Sequence, residues 1–416
     1  MPKLITLVAI VCGFLLSSNP ASADEPPERY RFLFHCDGET LFQLPAPPVK
    51  YGYIEKSMDE IASTGATTLV VSTHIGMVPI YPSEHSNQMG EKVQSNDRSR
   101  FKRDGTRLFG TLQRSGLNIE VLIKDGIDPL QWILTAARHR ELETFLSFGL
   151  NNAQYGNDPF RYPNVLAISQ YWREHRDLRL GTAGAPLPEI LQEILGPSGR
   201  RHFAPALPVG LDFAKAEVRD RRLLEIDEIL NRYDIDGLEI NFHRYPMFFK
   251  PDEVADNLET MTGFMQEVRK RVDAAGQKHG HPIKLVGRVM PRPEYSKAIG
   301  LDVERWAREG LLDFIIVSHC GDNEFTLPIR EYRQILPDGY PVYASIAFES
   351  KGEDYREIAA QLRDEQPDGI HLQNFHDTLD LRRRPDYKLA EEMGTVYKDV
   401  TSAPADPPTS DQGDNN

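Results

Sequence analysis

Eight short runs of β-branched and aromatic residues alternate with helix-length segments between residues 30 and 375. This alternation is typical of βα units, which build parallel sheets. The predicted strands are 30–36, 67–73, 143–150, 236–242, 283–289, 313–319, 341–347 and 369–375. Eight units predict a single-domain (β/α)8 barrel with long loops after the second and third strands. A doubly wound open sheet is the alternative, but no Gly-rich phosphate loop follows any predicted strand.

The segments between the strands have the apolar periodicity of helices. Along 216–233, apolar residues recur at i, i+3, i+7 and i+10 and form one stripe. Further helices are predicted at 252–272, 303–310 and 355–365. Strands and helices therefore alternate along most of the chain.

The first residues have the features of an export signal: a cationic Lys3, a short apolar run and a small-residue cleavage site. The run is shorter than the roughly 20 residues of a membrane span, so we expect no membrane span. The predicted organisation is a signal peptide at 1–23, a linker at 24–29, a barrel domain at 30–400 and a disordered tail at 401–416. The mature protein is expected in the periplasm or outside the cell.

Composition excludes some partners and cofactors. The formal net charge of -14 argues against nucleic acid, because phosphate binding needs clustered lysines and arginines. Cys36 and Cys320 would be the only cysteines after signal removal, and they lack the C-x-x-C spacing of a zinc site. A disulfide between them is not expected, because the first and sixth strands lie far apart around a barrel. We predict no metal and no cofactor.

The most informative strand is 236–242, where polar residues alternate with apolar ones. One face of a barrel strand packs on the helices and the other fills the lumen. Glu239, Asn241 and His243 are therefore expected to line the C-terminal mouth. An ionised carboxylate in the lumen is costly unless it is paired or has a raised pKa suited to proton transfer.

The same alternation places polar groups at the ends of other strands. Any one of them alone could be a hydrogen-bonded structural residue. The candidate pocket residues that this alternation adds are His35, Asp37, His74, Asn151 or Asn152, Arg288, His319, Glu349 and Gln373. Arg244 is a further candidate, because it could, like His243, hydrogen-bond sugar hydroxyls or a uronate. Arg244 and Arg288 also supply the structural alternative for Glu239, which is a buried ion pair.

Several of these segments resemble a known family. The segment "YDIDGLEINFHRYP" (233–246) is similar to the strand-four motif of glycosyl-hydrolase-like family 10, a group of (β/α)8 proteins with exported bacterial members. Four more segments resemble that family's pattern: "SFGLNNA" (147–153), "YWREHRDLRL" (171–180), "AKAEVRD" (214–220) and "GLDVERWAREGLLD" (300–313). The resemblance covers about 143–313 and implies a barrel that acts on carbohydrate.

The sequence departs from the family pattern at the strand ends. Asn241 stands where the strand-four motif carries an aspartate, and Gly149 and Asn152 replace an Arg and an Asp. Fewer charges than in the relatives would therefore face the sugar, and a strand-four nucleophile at position 241 is in doubt.

Glycoside hydrolysis requires two carboxylates. Glu239 is the predicted general acid/base, and Glu349 is its partner by analogy with retaining (β/α)8 glycosidases, with Asp322 and Glu324 as further candidates. Aromatic residues near the mouth could stack on sugar faces; they are Tyr155, Tyr245, Phe248, Phe249, Tyr295 and Phe375.

The predicted function is an exported glycoside-hydrolase-like protein that acts on a polysaccharide or oligosaccharide. One alternative is a carbohydrate-binding barrel that has lost catalysis, which Asn241 would explain. The other is a metal-dependent sugar isomerase or lyase with His35, His74, His319 and Glu239 as ligands. No oligomeric state is predicted.

Overall fold

A computed structural model describes residues 31–89, 109–161, 164–320, 327–347, 358, 361–362, 364–375 and 386–401. Eight parallel strands close into a barrel, in the order β1-β10-β9-β8-β7-β6-β5-β2. The strands are β1 Phe32–Cys36, β2 Thr68–Ser72, β3 His74–Ile75, β4 Val78–Pro79, β5 Glu143–Gly149, β6 Gly237–Asn241, β7 Lys284–Val289, β8 Phe314–Val317, β9 Val342–Ala347 and β10 Gly369–Gln373. β3 and β4 form a separate antiparallel hairpin.

The (β/α)8 prediction is confirmed, since each predicted strand coincides with a barrel strand to within two residues at either end. Pairing of β1 with β10, in the register Phe32↔Ile370, closes the ring. An open doubly wound sheet has no such closing pair, so that alternative is wrong.

Helices surround the barrel. They are α1 Thr40–Gln43, α2 Tyr51–Ala62, α3 Phe109–Lys124, α4 Pro129–Arg138, α5 Gln170–Glu174, α6 Glu189–His202, α7 Ala216–Arg232, α8 Leu258–His279, α9 Pro293–Ala298, α10 Val303–Arg308, α11 Ile329–Ile335 and α12 Tyr387–Thr401. On α7 the predicted apolar stripe is buried, with Ile226 and Leu230 at most 2% exposed. No described helix has both the length and the apolar character needed to cross a bilayer.

Helix α8 starts and ends later than predicted. A 3-10 turn at Ala255–Asn257 precedes it, and it continues to His279. Gly280 then ends the helix in a left-handed conformation with φ 85°, which glycine adopts without a Cβ clash. The helix predicted at 355–365 falls largely outside the described residues.

The lumen is filled in two zones of different chemistry. A buried apolar cluster forms the floor and consists of Leu33, Val70, Phe145, Val286, Phe314, Ile316 and Tyr343. Two positions further along several of these strands, the inward side chains become polar: Ser147 on β5, Arg288 on β7 and Ser345 on β9. Because strands run towards the C-terminal face, the polar zone lies on the side where barrel active sites form.

Candidate active site

Glu239 lies in the lumen with no exposed surface. Its neighbours on β6, Leu238 and Ile240, are also 0% exposed and occupy the opposite strand face. Ser147 is paired with Glu239 in the register of β5 and β6, and its hydroxyl donates to Glu239 Oε1 at 2.6 Å. One carboxylate oxygen is therefore anchored by the adjacent strand.

The other oxygen, Oε2, has no hydrogen-bond partner among the described residues. It faces His371 Nε2 across the lumen at 3.8 Å, and that nitrogen is also unpartnered. His371 is not among the residues predicted from the sequence. The available signal was its position two residues before Gln373, which gives both side chains the same inward direction on β10.

Ser345 orients the ring of His371. Its Oγ accepts a hydrogen bond from Arg288 Nη2 at 3.3 Å and lies 2.9 Å from His371 Nδ1. This contact engages Nδ1 and leaves Nε2 facing Glu239. In the tautomer that carries its proton on Nε2, the ring directs an N–H at the carboxyl group of Glu239.

Burial sets the protonation preferences of this pair. Desolvation raises the pKa of Glu239, and the charge of Arg288 and the Ser147 hydrogen bond offset only part of this effect. Desolvation, reinforced by the charge of Arg288, holds the pKa of His371 well below its usual value. Relative to water, both shifts favour the neutral form of the group concerned, which is the form that a general acid needs in the case of Glu239.

Arg288 crosses the lumen and ties three strands together. It is 0% exposed, and its Nη2 donates to Ser318, Ser345 and Gln373. Burial lowers the pKa of Arg288 to about 10, although the charge of Glu239 opposes this. Among the described residues neither Arg288 nor Arg244 forms an ion pair with Glu239, so the structural alternative of a paired carboxylate is not realised.

The segment after β6 positions the next group of candidates. Asn241 Oδ1 accepts from the His243 backbone N–H at 3.0 Å, which turns the chain at the strand end. His243 is 3% exposed, and its Nε2 donates to the backbone carbonyl of His319. Within the described part of the chain, its Nδ1 has no hydrogen-bond partner. Arg244 follows at the mouth and is half-buried.

A second hydrogen-bonded chain comes from β1 and β10. His35 Nδ1 lies 2.8 Å from Asn374 Oδ1, and Asn374 Nδ2 donates to Asp37 Oδ2 at 3.2 Å. The other oxygen of Asp37 accepts from the backbone N–H groups of Glu39 and Thr40 at the start of α1. Asp37 therefore anchors this chain. The ring of His35 lies 5.3 Å from that of His371, centroid to centroid.

The prediction of His74 as a pocket residue is corrected. Its ring packs edge-on against Phe148, on the outer face of β5, and against Tyr81. The parity argument fails because β2 ends at Ser72, and the chain then turns into the β3–β4 hairpin. Burial lowers the pKa of His74 to about 4, although Glu225 on α7 opposes this shift.

Asn151 also has a structural role. Its Nδ2 donates to the carbonyls of Leu211 and Met247, at 3.0 and 2.6 Å, and its Oδ1 accepts from the Leu211 N–H. With its amide fully engaged and 2% exposed, it clamps two loops together. Asn152 is half-buried, and its Oδ1 accepts from the backbone N–H of Gln154.

The partner carboxylates Glu349, Asp322 and Glu324 fall outside the described residues. Two of the predicted sugar-stacking aromatics, Phe248 and Phe249, are each 1% exposed. They lie in the apolar packing around the loop after β6 rather than forming an open platform.

The described residues contain no group of three or more metal-ligand side chains. The set proposed for an isomerase or lyase is not assembled, since His74 lies outside the barrel. Cys36 and Cys320 are buried thiols that are not joined in a disulfide, and Cys320 Sγ donates to the carbonyl of His243 at 3.0 Å.

Comparisons with known proteins bear on the fold. No family model matches the sequence. No curated protein matches it significantly. The glycoside hydrolase domain of PgaB (BpsB) from Bordetella bronchiseptica aligns with a TM-score of 0.53 and 8% identity, over 88% of this chain and 99% of that domain. Alpha-L-fucosidase isoenzyme 2 from Paenibacillus thiaminolyticus aligns with a TM-score of 0.51 and 13% identity, over 90% of this chain and 49% of that enzyme.

At these identities the similarity shows the fold alone. The protein therefore has the closed (β/α)8 architecture that is found in glycoside hydrolases, with Glu239, His371 and Arg288 converging in the polar zone of its lumen.

Proposed function

We propose that this protein is a glycoside hydrolase in which Glu239 is the general acid/base. The observation that carries the proposal is a fully buried carboxyl group whose Oε2 is unpaired, while its pKa is raised by desolvation. Perturbed carboxyl groups of this kind are typical of acid catalysts in barrel lumens. The structural likeness to glycoside hydrolase barrels supports the proposal but does not identify the reaction.

In the proposed reaction Glu239 donates its proton to the glycosidic oxygen as the bond to the anomeric carbon breaks. The anomeric carbon finally gains the hydroxyl group of a water molecule, and the remaining proton of that water replaces the one that Glu239 gave. The Ser147 hydroxyl and the His371 Nε2–H then stabilise the carboxylate that remains. Arg288 contributes a positive charge to the same end. The three groups are held by hydrogen bonds before substrate arrives, which reduces the cost of reorganisation during the reaction.

The proposed reaction also requires a second carboxylate. Glu349 follows β9 in the chain, two residues after the strand ends, and Asp322 and Glu324 follow β8. Chain segments that follow barrel strands belong to the C-terminal face. We keep Glu349 as the partner, by analogy with retaining glycosidases, and the other two as alternatives.

A carbohydrate-binding barrel without catalysis is the second candidate. Two observations favour it: Asn241 uses its side-chain oxygen to accept from the His243 N–H, and Glu239 has no exposed surface that a substrate oxygen could reach directly. The proposed hydrolase needs the mouth to open above Glu239, whereas a binding protein would take its ligand further out, at Arg244.

Export to the periplasm or the extracellular space, and membership of glycosyl-hydrolase-like family 10, remain part of the proposal. The export signal and the strand-four segment 233–246 support them.

A panel of polysaccharides, assayed for release of reducing ends with and without EDTA, tests the function. Replacing Glu239 with Gln keeps the shape and removes the acid, so turnover should fall about 10²–10⁴-fold while substrate binding persists. Glu217→Gln on the exposed face of α7 is the matched control and should leave turnover unchanged. Full activity in Glu239→Gln would exclude the proposed acid. EDTA-sensitive activity would instead favour metal-dependent chemistry.

A further inference from the structure

Ser72 lies at the end of β2 with its hydroxyl group directed at a histidine. Its Oγ is 3.3 Å from His35 Nε2, and this is its only side-chain hydrogen bond among the described residues. Val70, two residues earlier on the same strand face, belongs to the apolar floor, so Ser72 points into the polar zone of the lumen. Ser72 is half-buried, whereas Glu239 has no exposed surface. Ser72 is therefore the more accessible of the two from the C-terminal mouth.

The other nitrogen of the His35 ring is fixed by an amide. His35 Nδ1 lies 2.8 Å from Asn374 Oδ1, which can only accept a hydrogen bond, so Nδ1 carries a proton. The orientation of the amide follows from Asp37, whose Oδ2 accepts from Asn374 Nδ2 at 3.2 Å. A flipped amide would place two acceptor oxygens against each other. In the neutral ring, Nε2 is therefore the unprotonated nitrogen, and it faces the Ser72 hydroxyl group.

Asn374 has an uncommon backbone conformation at this position. Its φ is 49°, in the left-handed region that few residues other than glycine enter. Its backbone N–H donates to the carbonyl of His35 at 3.0 Å, so both its main chain and its side chain contact the histidine. Strained conformations of this kind cost free energy and cluster at functional sites. The strain at Asn374 is thus consistent with a role in holding His35.

The loop that carries Asp37 packs directly against the end of β2. Asp37 Oδ1 accepts from the backbone N–H groups of Glu39 and Thr40, each at 3.0 Å. Gly38 follows with φ 75°, and a Cβ at this position would lie 2.9 Å from the carbonyl oxygen of Ser72. Only glycine allows the loop to approach the strand so closely. The carboxylate that anchors the hydrogen-bonded chain is therefore fixed relative to the hydroxyl group at its other end.

We propose that Ser72 and His35 are a nucleophile and a general base that hydrolyse carboxylic esters, with Asn374 as the residue that positions the base. A hydroxyl group within hydrogen-bond reach of a base, which is oriented in turn by a third group, recurs in hydrolases of unrelated folds. The distance of 3.3 Å is slightly long for such a pair, as is common in sites without substrate. This activity is additional to glycoside hydrolysis and does not depend on it.

The reaction has two steps. In the first, Ser72 Oγ attacks the carbonyl carbon of the ester while its proton passes to His35 Nε2, and the alcohol leaves with that proton as its bond to the carbonyl carbon breaks. The acyl group is then an ester of Ser72. In the second step, water attacks the same carbon and gives a proton to His35 Nε2, which returns it to Ser72 Oγ as the acyl bond breaks. The products are an alcohol and a carboxylic acid.

Labelling with a fluorophosphonate, which reacts covalently with activated serines, tests the pair directly. The purified protein is treated with the reagent and digested, and the modified peptide is identified by mass spectrometry. We expect the label on Ser72 in the parent. In His35→Gln the labelling rate should fall about 10²–10⁴-fold, because the general base is lost. Absence of the label from Ser72 in the parent would overturn the proposal, whatever the behaviour of the variants.

Hydrolysis of p-nitrophenyl acetate is the second measurement. Ser72→Ala should lose the activity of the parent, with circular dichroism to establish that the variant is folded. Ser63→Ala is the matched control, since it removes a hydroxyl group from an exposed serine after α2 that donates to the carbonyl of Glu60. It should hydrolyse the ester like the parent. Hydrolysis by Ser72→Ala at the rate of the parent would contradict the assignment of the nucleophile.

Nitrogen NMR of the histidine rings tests the positioning role of Asn374. With the resonances assigned by comparison with His35→Gln, the neutral ring of His35 should carry its proton on Nδ1 in the parent. Asn374→Gly removes the amide without strain at positive φ, so a mixture of tautomers and slower labelling of Ser72 are expected. A parent ring protonated on Nε2 would exclude His35 as the base. None of these measurements involves cleavage of a glycosidic bond, so this proposal and the glycoside hydrolase proposal can fail independently.

Discussion

Two buried glutamates, Glu225 and Glu239, lie on consecutive elements of this protein and have pKa values that are shifted in opposite directions. Glu225 on α7 accepts from Arg221 at 2.9 Å and from Arg222 at 2.6 Å. Burial alone would raise the pKa of Glu225, but the two guanidinium groups outweigh it and the net effect lowers that pKa. Among the described residues no arginine or lysine pairs with Glu239, whose Oε2 lies 3.8 Å from His371 Nε2, and the net effect of its surroundings raises its pKa.

The difference shows that burial alone does not define a catalytic carboxyl group. The protein neutralises Glu225 with two arginines on its own helix, at positions i−4 and i−3, where short-range partners are easily supplied. In the lumen, Arg288 is used to bridge strands, and among the described residues Glu239 has the hydrogen bond from Ser147 but no arginine or lysine partner. An unpaired buried carboxyl group reduces stability, and its retention is consistent with function.

The largest expected effect concerns Glu225. Glu225→Gln would leave Arg221 and Arg222 without their buried partner, so the free energy of unfolding should fall by about 3–5 kcal/mol. Urea unfolding followed by circular dichroism measures this, with Glu217→Gln on the same helix as the control. A variant as stable as the parent would show that Glu225 is not a structural ion-pair partner.

Glu239→Gln should change the free energy of unfolding in the opposite direction to Glu225→Gln, and the change should depend on pH. The folded-state pKa of Glu239 is raised above its unfolded value of 4.5, so its contribution to stability is present below that pH and is lost as pH rises. The stability of the variant relative to the parent should therefore increase as pH rises above 4.5. Unfolding curves at several pH values measure the trend, and a relative stability that falls over this range would contradict the assignment.

His74 sharpens the comparison, since it lies beside Glu225 rather than Glu239. Its folded-state pKa is lowered to about 4 from 6.5, so its contribution to stability should be lost as pH falls from 6.5 towards 4. NMR titration of the ring should show this pKa. In Glu225→Gln it should fall further, because the nearby negative charge is gone. A measured pKa near 6.5 for His74 would show that its ring is exposed to solvent and would contradict its buried position.

Ser147→Ala is the smallest expected change. It removes the hydrogen bond that partly lowers the pKa of Glu239, so that pKa should rise further, and stability should fall by about 1 kcal/mol. The pH profile of kcat/KM can be measured with the substrate found in the glycan screen. The fall in kcat/KM that accompanies deprotonation of Glu239 should move to higher pH. An unchanged profile would show that Ser147 does not act on the reacting carboxyl.

Much of the barrel was predictable because its strands carry local patterns. The alternation at Leu238, Glu239 and Ile240 predicts the inward direction of Glu239, and β6 has this geometry. The same rule fails at His74, because alternation holds only while the chain remains a strand. It fails for Asn151 in another way, since a buried amide at a strand end can clamp loops as well as bind ligand.

His371 was missed for a physical reason. In "GIHLQ" it resembles any other buried strand residue, and its importance comes from β10 facing β6 across the closed ring. The pairing of Glu225 with Arg221 and Arg222 was available from helical spacing. The absence of an arginine partner for Glu239 among the described residues could not be predicted from the sequence, because it depends on the direction of the Arg288 side chain.

Carboxyl-carbon NMR of the parent with labelled glutamate, assigned by comparison with Glu239→Gln and Glu225→Gln, tests the central claim most directly. The resonance lost in Glu239→Gln should titrate above pH 4.5, and that lost in Glu225→Gln should titrate below it. A Glu239 resonance that titrates at or below 4.5 would mean that this carboxyl group is ionised and stabilised like Glu225, and the account of it as a buried acid would be wrong.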